Sequence, residues 1–127
     1  MIRELTLRTL EQAIQSALAL DEQSVTRLAA LDGKTLALVI LPLGVRFFIE
    51  FTDHNLFVKP HTSHAPDCTI QSSPMGLVRL SLLPASKARS LFNDEIKMEG
   101  DAEFGEAVKA LFDDLDIDWE GHLAYFT

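Results

Sequence analysis

Apolar residues recur at helical spacing in the first stretch of the chain. Leu7, Leu10, Ile14, Ala17 and Leu18 fall on one face, and Arg8, Glu11, Gln12 and Gln15 on the other. A period of 3.6 residues brings positions three and four apart onto one stripe, so an amphipathic helix is expected. Asp21 or Ser24 is placed to cap a short second helix holding Val25, Leu28 and Ala29, which Gly33 ends. The period then changes to two. Thr35 to Leu41 is almost wholly apolar and reads as a strand buried on both faces, and Pro42-Leu43-Gly44 makes a turn. Val45, Phe47, Ile49 and Phe51 alternate with Arg46, Phe48, Glu50 and Thr52, the signature of a half-buried strand.

Asp53-His54-Asn55 turns the chain into a third strand, Leu56 to Lys59, and a loop with Pro60 and Pro66 leads to a fourth, Cys68 to Gln71. Ser73-Pro74 pairs a capping hydroxyl with proline at the first helical position; the helix carries Met75, Leu77, Val78 and Leu80 and stops before Pro84. A short segment around Ala88 to Phe92 precedes a fifth strand, Glu95 to Glu99. Gly100-Asp101 closes it and caps a helix whose stripe is Phe104, Val108, Leu111, Phe112 and Leu115. Trp119 to Phe126 reads as a last short helix capped by Asp118. This order predicts an α+β fold: an antiparallel five-stranded sheet covered on one face by helices, with the other face partly solvated. Residues 1–127 are expected to form one domain, which suits a chain of 127 residues.

Charge narrows the function. The formal net charge is -8, from 19 acidic and 11 basic residues, without a Lys/Arg cluster. A nucleic-acid partner is therefore not expected, because phosphate binding requires basic residues that displace counterions. The same acidity disfavours adsorption to an anionic membrane surface. No apolar run approaches the ~18 residues of a membrane span, Met1-Ile2-Arg3-Glu4-Leu5 does not read as a signal peptide, and the single cysteine, Cys68, rules out an intrachain disulfide. A cytoplasmic protein is the expectation.

Three short patterns resemble ligand sites, and each has a plainer reading. Gly33-Lys34-Thr35 looks like the end of a phosphate-binding loop, yet the required upstream glycine position holds Leu28 and the segment enters a strand instead of a helix. His61 and His64, with Asp67 and Cys68 nearby, have the residue types for zinc but lack a second ligand pair at regular spacing. Asp114-x-Asp116-x-Asp118 imitates the start of a calcium loop, but Trp119 and Tyr125 stand where glycine and glutamate are needed. No metal or cofactor is expected. No G-x-S-x-G elbow surrounds a serine, and Cys68 lies in a predicted strand without the setting that activates a thiol, so no enzymatic apparatus is expected either.

Large apolar side chains, among them Phe47, Phe48, Phe51, Phe57, Phe92, Phe104 and Phe112, are spread over strands and helices. They admit two readings: a solid core, or a cavity between sheet and helices able to hold a lipid tail. Periodicity does not separate the two, since both place apolar residues on the same stripes. A cavity would be expected between the second strand and the helix after Asp101, lined by Phe47, Ile49, Phe51, Met75, Leu77, Phe104, Val108 and Leu111. A solid core would make the domain a protein-interaction scaffold without a lipid ligand.

Several stretches together resemble the sterol carrier protein 2 domain family. Asp67-Cys68-Thr69-Ile70-Gln71-Ser72-Ser73-Pro74-Met75-Gly76-Leu77 is similar to its strand-to-helix signature, and Ile96-Lys97-Met98-Glu99-Gly100-Asp101 to its last strand. Leu31-Asp32-Gly33-Lys34 and Leu115-Asp116-Ile117-Asp118-Trp119-Glu120 resemble one branch of that family, the UbiJ-type accessory factors of ubiquinone biosynthesis. The resemblance implies a lipid-binding fold and a non-catalytic role. Its implied ligand is an isoprenoid quinone precursor, presented to the pathway enzymes. Its implied partners are other ubiquinone-biosynthesis proteins such as UbiK, and self-association into a homo-oligomer stays open. Members of that branch are expected to continue into a C-terminal assembly helix, whereas the present sequence stops at Thr127.

Overall fold

The computed structural model describes residues 2–42, 44–82, 96–115, 117–118 and 121. The elements run α1 (Ile2–Leu20), α2 (Ser24–Leu31), β1 (Thr35–Ile40), β2 (Val45–Phe51), β3 (Leu56–Lys59), β4 (Cys68–Ser72), α3 (Pro74–Leu82), β5 (Ile96–Gly100) and α4 (Ala102–Asp113). The expected segments at 88–92 and 119–126 lie outside the described residues.

Local chemistry accounts for the boundaries. Ser73 Oγ accepts from the Gly76 amide at 3.0 Å and so caps α3. Asp101 Oδ1 does the same for α4 through the Phe104 amide at 3.1 Å. At α2 neither expected residue caps through its side chain. Asp21 instead forms a tight turn by accepting from the Gln23 amide, and the buried Ser24 hydroxyl donates to the Leu18 and Asp21 carbonyls.

The sheet order is β3-β2-β1-β4-β5. All neighbours are antiparallel except β1 and β4, which run parallel with Leu36 beside Cys68 and Ile40 beside Ser72. The expected all-antiparallel sheet is therefore corrected to a mixed one. Alternation along a strand fixes which face each residue takes, but not the direction in which a distant strand pairs. Direction is decided by the connection after β3, which already runs the same way as β1. Residues 60–67 carry the chain back past the sheet face opposite the helices, where Thr62 donates to Glu50. The chain then re-enters beside the start of β1: Asp67 donates its amide to the Thr35 carbonyl and accepts the Thr35 amide on Oδ2, each at 2.8 Å. From there β4 can only follow β1 in the same direction.

One sheet face carries Leu36, Leu38, Ile40, Val45, Phe47, Ile49, Phe51, Leu56, Val58, Cys68, Ile70 and Ile96, as the register requires. The helices cover it. Leu7, Leu10, Ile14 and Leu18 of α1 join Leu28 and Leu31 of α2 and Phe104, Val108 and Leu111 of α4 in one apolar cluster with that face. Burying each such side chain stabilises the fold by ~1.5–3 kcal/mol relative to leaving it exposed. The opposite face is mixed: Phe48 is buried beneath the Arg46 guanidinium, 5.3 Å from its ring centre, while Lys59, Lys97 and Glu99 are exposed.

Two side chains of α1 finish the edge of β3. Glu11 Oε2 accepts from the Val58 amide at 2.7 Å, and Gln15 Nε2 donates to the Leu56 carbonyl at 2.8 Å. These are the outward backbone groups that an edge strand otherwise offers to solvent or to another strand.

Lys34, at the entry to β1, donates to Asp101 Oδ2 at 2.9 Å and lies over the Phe104 ring. The hydrogen bond from Lys34, then that from the Phe104 amide, holds the Asp101 carboxyl below its ordinary range. The same bond to Asp101 raises Lys34 against the effect of desolvation, with the charges of Asp101, Asp67 and Glu103 adding to the rise. A lowered acid and a raised base stabilise the fold only while both are charged. The contribution is thus complete at neutral pH, lost in acid as pH falls through the lowered value of Asp101, and lost in alkali as pH rises through that of Lys34. Asp101→Asn keeps a cap acceptor but removes the pair. Urea unfolding across pH should show the variant less stable at neutral pH, with the gap closing at both extremes.

Candidate functional site

The helices do not fill all the space above the sheet. Gly105, Val108, Lys109, Phe112 and Asp113 form one stripe of α4, and Leu77 and Leu80 face it from α3. Leu10 of α1 closes another side, and the floor is Leu36, Leu38, Phe47, Ile49 and Ile70. Leu36 is the register partner of Ile49, and Leu38 that of both Phe47 and Ile70, so the floor is one continuous patch of the apolar sheet face. Gly105 lets α4 approach this patch: a methyl group there would sit 3.0 Å from the Met98 sulfur and 3.1 Å from Cys68 Sγ.

The gap between these walls is a cavity of about 100 Å³ that opens in part to solvent. Its walls are almost wholly apolar, so water gains few hydrogen bonds inside and an apolar chain is the better occupant. Among the described residues of the wall, only Lys109 and Asp113 are charged, and they form an i,i+4 ion pair with each other. The Lys109 side chain is 8% exposed and that of Asp113 is 26% exposed, so the pair leads from the buried wall toward solvent.

Of the eight residues expected around a cavity, Phe47, Ile49, Leu77 and Val108 line this one. Phe51 and Phe104 instead meet edge to face, with ring centres 5.6 Å apart, in the packed core. Leu111 is fully buried and Met75 is 58% exposed on the first turn of α3; neither belongs to the wall. Leu10, Leu36, Leu38, Ile70, Leu80, Gly105, Phe112 and the charged pair complete the lining without having been named for it from the sequence. For Lys109 a signal was present, since a lysine stands on the apolar face of α4 between Gly105 and Phe112.

The other short patterns resolve into structural contacts. Lys34 is engaged with Asp101. His61 and His64 are exposed, and among the described residues no group of three or more His, Cys, Asp or Glu could hold a metal ion. Asp114 pairs with Arg27, which also donates to the Ala110 carbonyl at 3.1 Å and so ties α2 to the end of α4. Asp118 accepts from the Gly121 amide at 3.0 Å. Cys68 is buried, and burial, helped by the negative charge of Asp101, pushes its thiol up, away from the reactive thiolate. No serine, cysteine, histidine or tyrosine lines the cavity among the described residues, and its apolar walls suit containment of an apolar chain. No helix among the described residues is long and apolar enough to cross a membrane.

Comparison with known proteins follows the same line. The fold is similar to that of a solved structure described as a UbiJ-SCP2 ubiquinone synthesis protein, at a TM-score of 0.80 and 19% identity, covering 89% of this chain and 97% of that one. The sterol carrier protein domain 2 of Helicoverpa armigera matches at a TM-score of 0.59 and 17% identity, covering 91% and 89%. The sec-alkylsulfatase Pisa1 from Pseudomonas sp. matches at 0.55 and 19% identity over 72% of this chain and 14% of that enzyme. No curated relative matches the sequence. The sequence model of the SCP-2 sterol transfer family matches residues 13–113, which hold every strand and nearly all of the cavity wall, and the chain therefore belongs to that family.

Proposed function

We propose that this protein is a non-catalytic lipid carrier that holds an isoprenoid quinone precursor for the enzymes of ubiquinone synthesis. The observation that carries the reading is the apolar cavity between one sheet face and three helices, in a chain of the SCP-2 sterol transfer family. A prenyl tail suits such walls, because each methylene removed from water contributes ~0.8 kcal/mol. The pathway assignment draws support from the likeness to the UbiJ-SCP2 ubiquinone synthesis protein and from the Leu115–Glu120 stretch of the sequence. Partners consistent with it are other proteins of that pathway, UbiK among them, in a cytoplasmic assembly.

Mass spectrometry of an organic extract, from protein purified without detergent, is expected to show a prenylated or long-chain lipid in stoichiometric amount. Adding a prenylphenol to stripped protein should raise its melting temperature, since a ligand at a hundred times its Kd adds ~2.7 kcal/mol to the folded state. An empty extract together with an unmoved melting temperature would sink the carrier reading and leave an interaction scaffold.

A further inference from the structure

We propose that the outer edge of β5 is a self-association surface, on which two copies of this chain join their sheets by antiparallel pairing of Ile96–Gly100 with itself. The two ends of the sheet differ. At β3 the outward Val58 amide and Leu56 carbonyl are taken by Glu11 and Gln15. At β5, the other end of the sheet, no described residue takes the corresponding place. Lys97, Glu99 and Gly100 are exposed there, and Met98 is half-buried. The direction of the backbone groups follows from β4. Asp101 donates its amide to the Asp67 carbonyl, and in an antiparallel ladder every second residue turns its amide and carbonyl to the same neighbour. Lys97 and Glu99 therefore turn theirs to β4, while those of Ile96 and Met98 point outward, a row that another strand can complete.

Charge selects a second copy as the strand that does so. Pairing about a two-fold axis at Met98 sets Lys97 of each copy opposite Glu99 of the other. These are the non-hydrogen-bonded positions, where Cα atoms stand about 4.5 Å apart and side chains interact most closely. An axis at Lys97 would set lysine against lysine, and one at Glu99 glutamate against glutamate, so both neighbouring registers are repulsive. Among the described residues neither Lys97 nor Glu99 forms a side-chain ion pair that would compete. Two like charges on this row would guard the edge against a copy of itself, whereas opposite charges two residues apart attract one. Directly opposed residues share a face, so the two five-stranded sheets would join with both helical layers on the same side. Both cavities would then face one way, toward a single partner surface.

The test is sedimentation equilibrium of the full chain at low ionic strength, with circular dichroism to verify that each variant is folded. The wild type should sediment as a monomer–dimer equilibrium. Lys97→Glu and Glu99→Lys each turn two attractive cross-strand pairs into two repulsive ones, and each should weaken dimerisation about tenfold to a hundredfold. Both side chains are exposed and neither lines the cavity, so folding and lipid content should be unchanged. In an equimolar mixture of the two variants, an unlike pair of chains sets acidic positions against basic ones on both sides of the axis, and dimers should return. The double variant Lys97→Glu/Glu99→Lys should dimerise as the wild type does. A wild type that stays monomeric at every concentration would overturn the proposal. Single variants that associate like the wild type, or a mixture no tighter than its components, would overturn it equally.

Discussion

Gly100→Ala is expected to destabilise the protein by about 3 kcal/mol or more. Gly100 ends β5 with φ +98°, a region open to glycine and strained for other residues. Space is also missing: a Cβ there would stand 2.4 Å from the Asp67 carbonyl oxygen and 3.2 Å from the Cys68 Cα, both backbone atoms that cannot rotate away. Asp67 is a junction, since it binds Thr35 through its amide and carboxylate and accepts the Asp101 amide at 2.8 Å on the carbonyl that the methyl would strike. A displaced Asp67 therefore disturbs the parallel β1–β4 pairing and the start of α4 together. Gly33→Ala is the control. Its φ is +81°, but nothing lies within 4 Å of the added carbon, so only the backbone term applies, about 1–2 kcal/mol. Urea unfolding of both variants decides the matter: equal losses would mean that the Asp67 contact contributes nothing.

Tryptophan at two positions one helical turn apart should separate cavity from core. Val108 lines the cavity, whereas Leu111 is fully buried and does not. Val108→Trp is expected to extend into the empty space, with a stability loss below about 1.5 kcal/mol, and to displace bound lipid. Excluding two or three methylenes at ~0.8 kcal/mol each lowers affinity roughly tenfold to a hundredfold. Leu111→Trp should lose ~1–3 kcal/mol through overpacking while the lipid content of the folded fraction is unchanged. Thermal or urea unfolding, combined with lipid quantification, reads both. Equal destabilisation with equal lipid retention would show that the gap beside Val108 is not where a ligand sits.

The contrast between these two residues also shows what a linear reading could extract. The alternation of Val45, Phe47, Ile49 and Phe51 and the stripe of Phe104, Val108 and Leu111 placed strands, helices and buried faces where they are found. Within those stripes the fates diverge. Phe51 and Phe104 meet and close the core, while Phe47 and Val108 stand apart across a gap. Separation depends on how far three helices stand from the sheet at each level, a long-range property that no local period encodes. The parallel partner of β1 escaped for a related reason, because the Cys68–Ser72 pattern is the same whichever way the strand runs. The Lys109–Asp113 pair was legible in principle, as charges interrupting an apolar helical face.

The finished edge of β3 has a consequence for the order of events during synthesis. Glu11 reaches Val58 across 47 residues and Gln15 reaches Leu56 across 41, and in both cases the helix is the earlier segment. Its carboxylate and amide are thus already outside the ribosome when the strand emerges, and β3 need not wait for later sequence to occupy its outward amide and carbonyl. Had the guard come from the C-terminal half, the nascent sheet would have presented an open rim to neighbouring chains for the whole of that interval, the condition under which strands from different molecules join. Placing the guard first confines that hazard to the time α1 takes to dock.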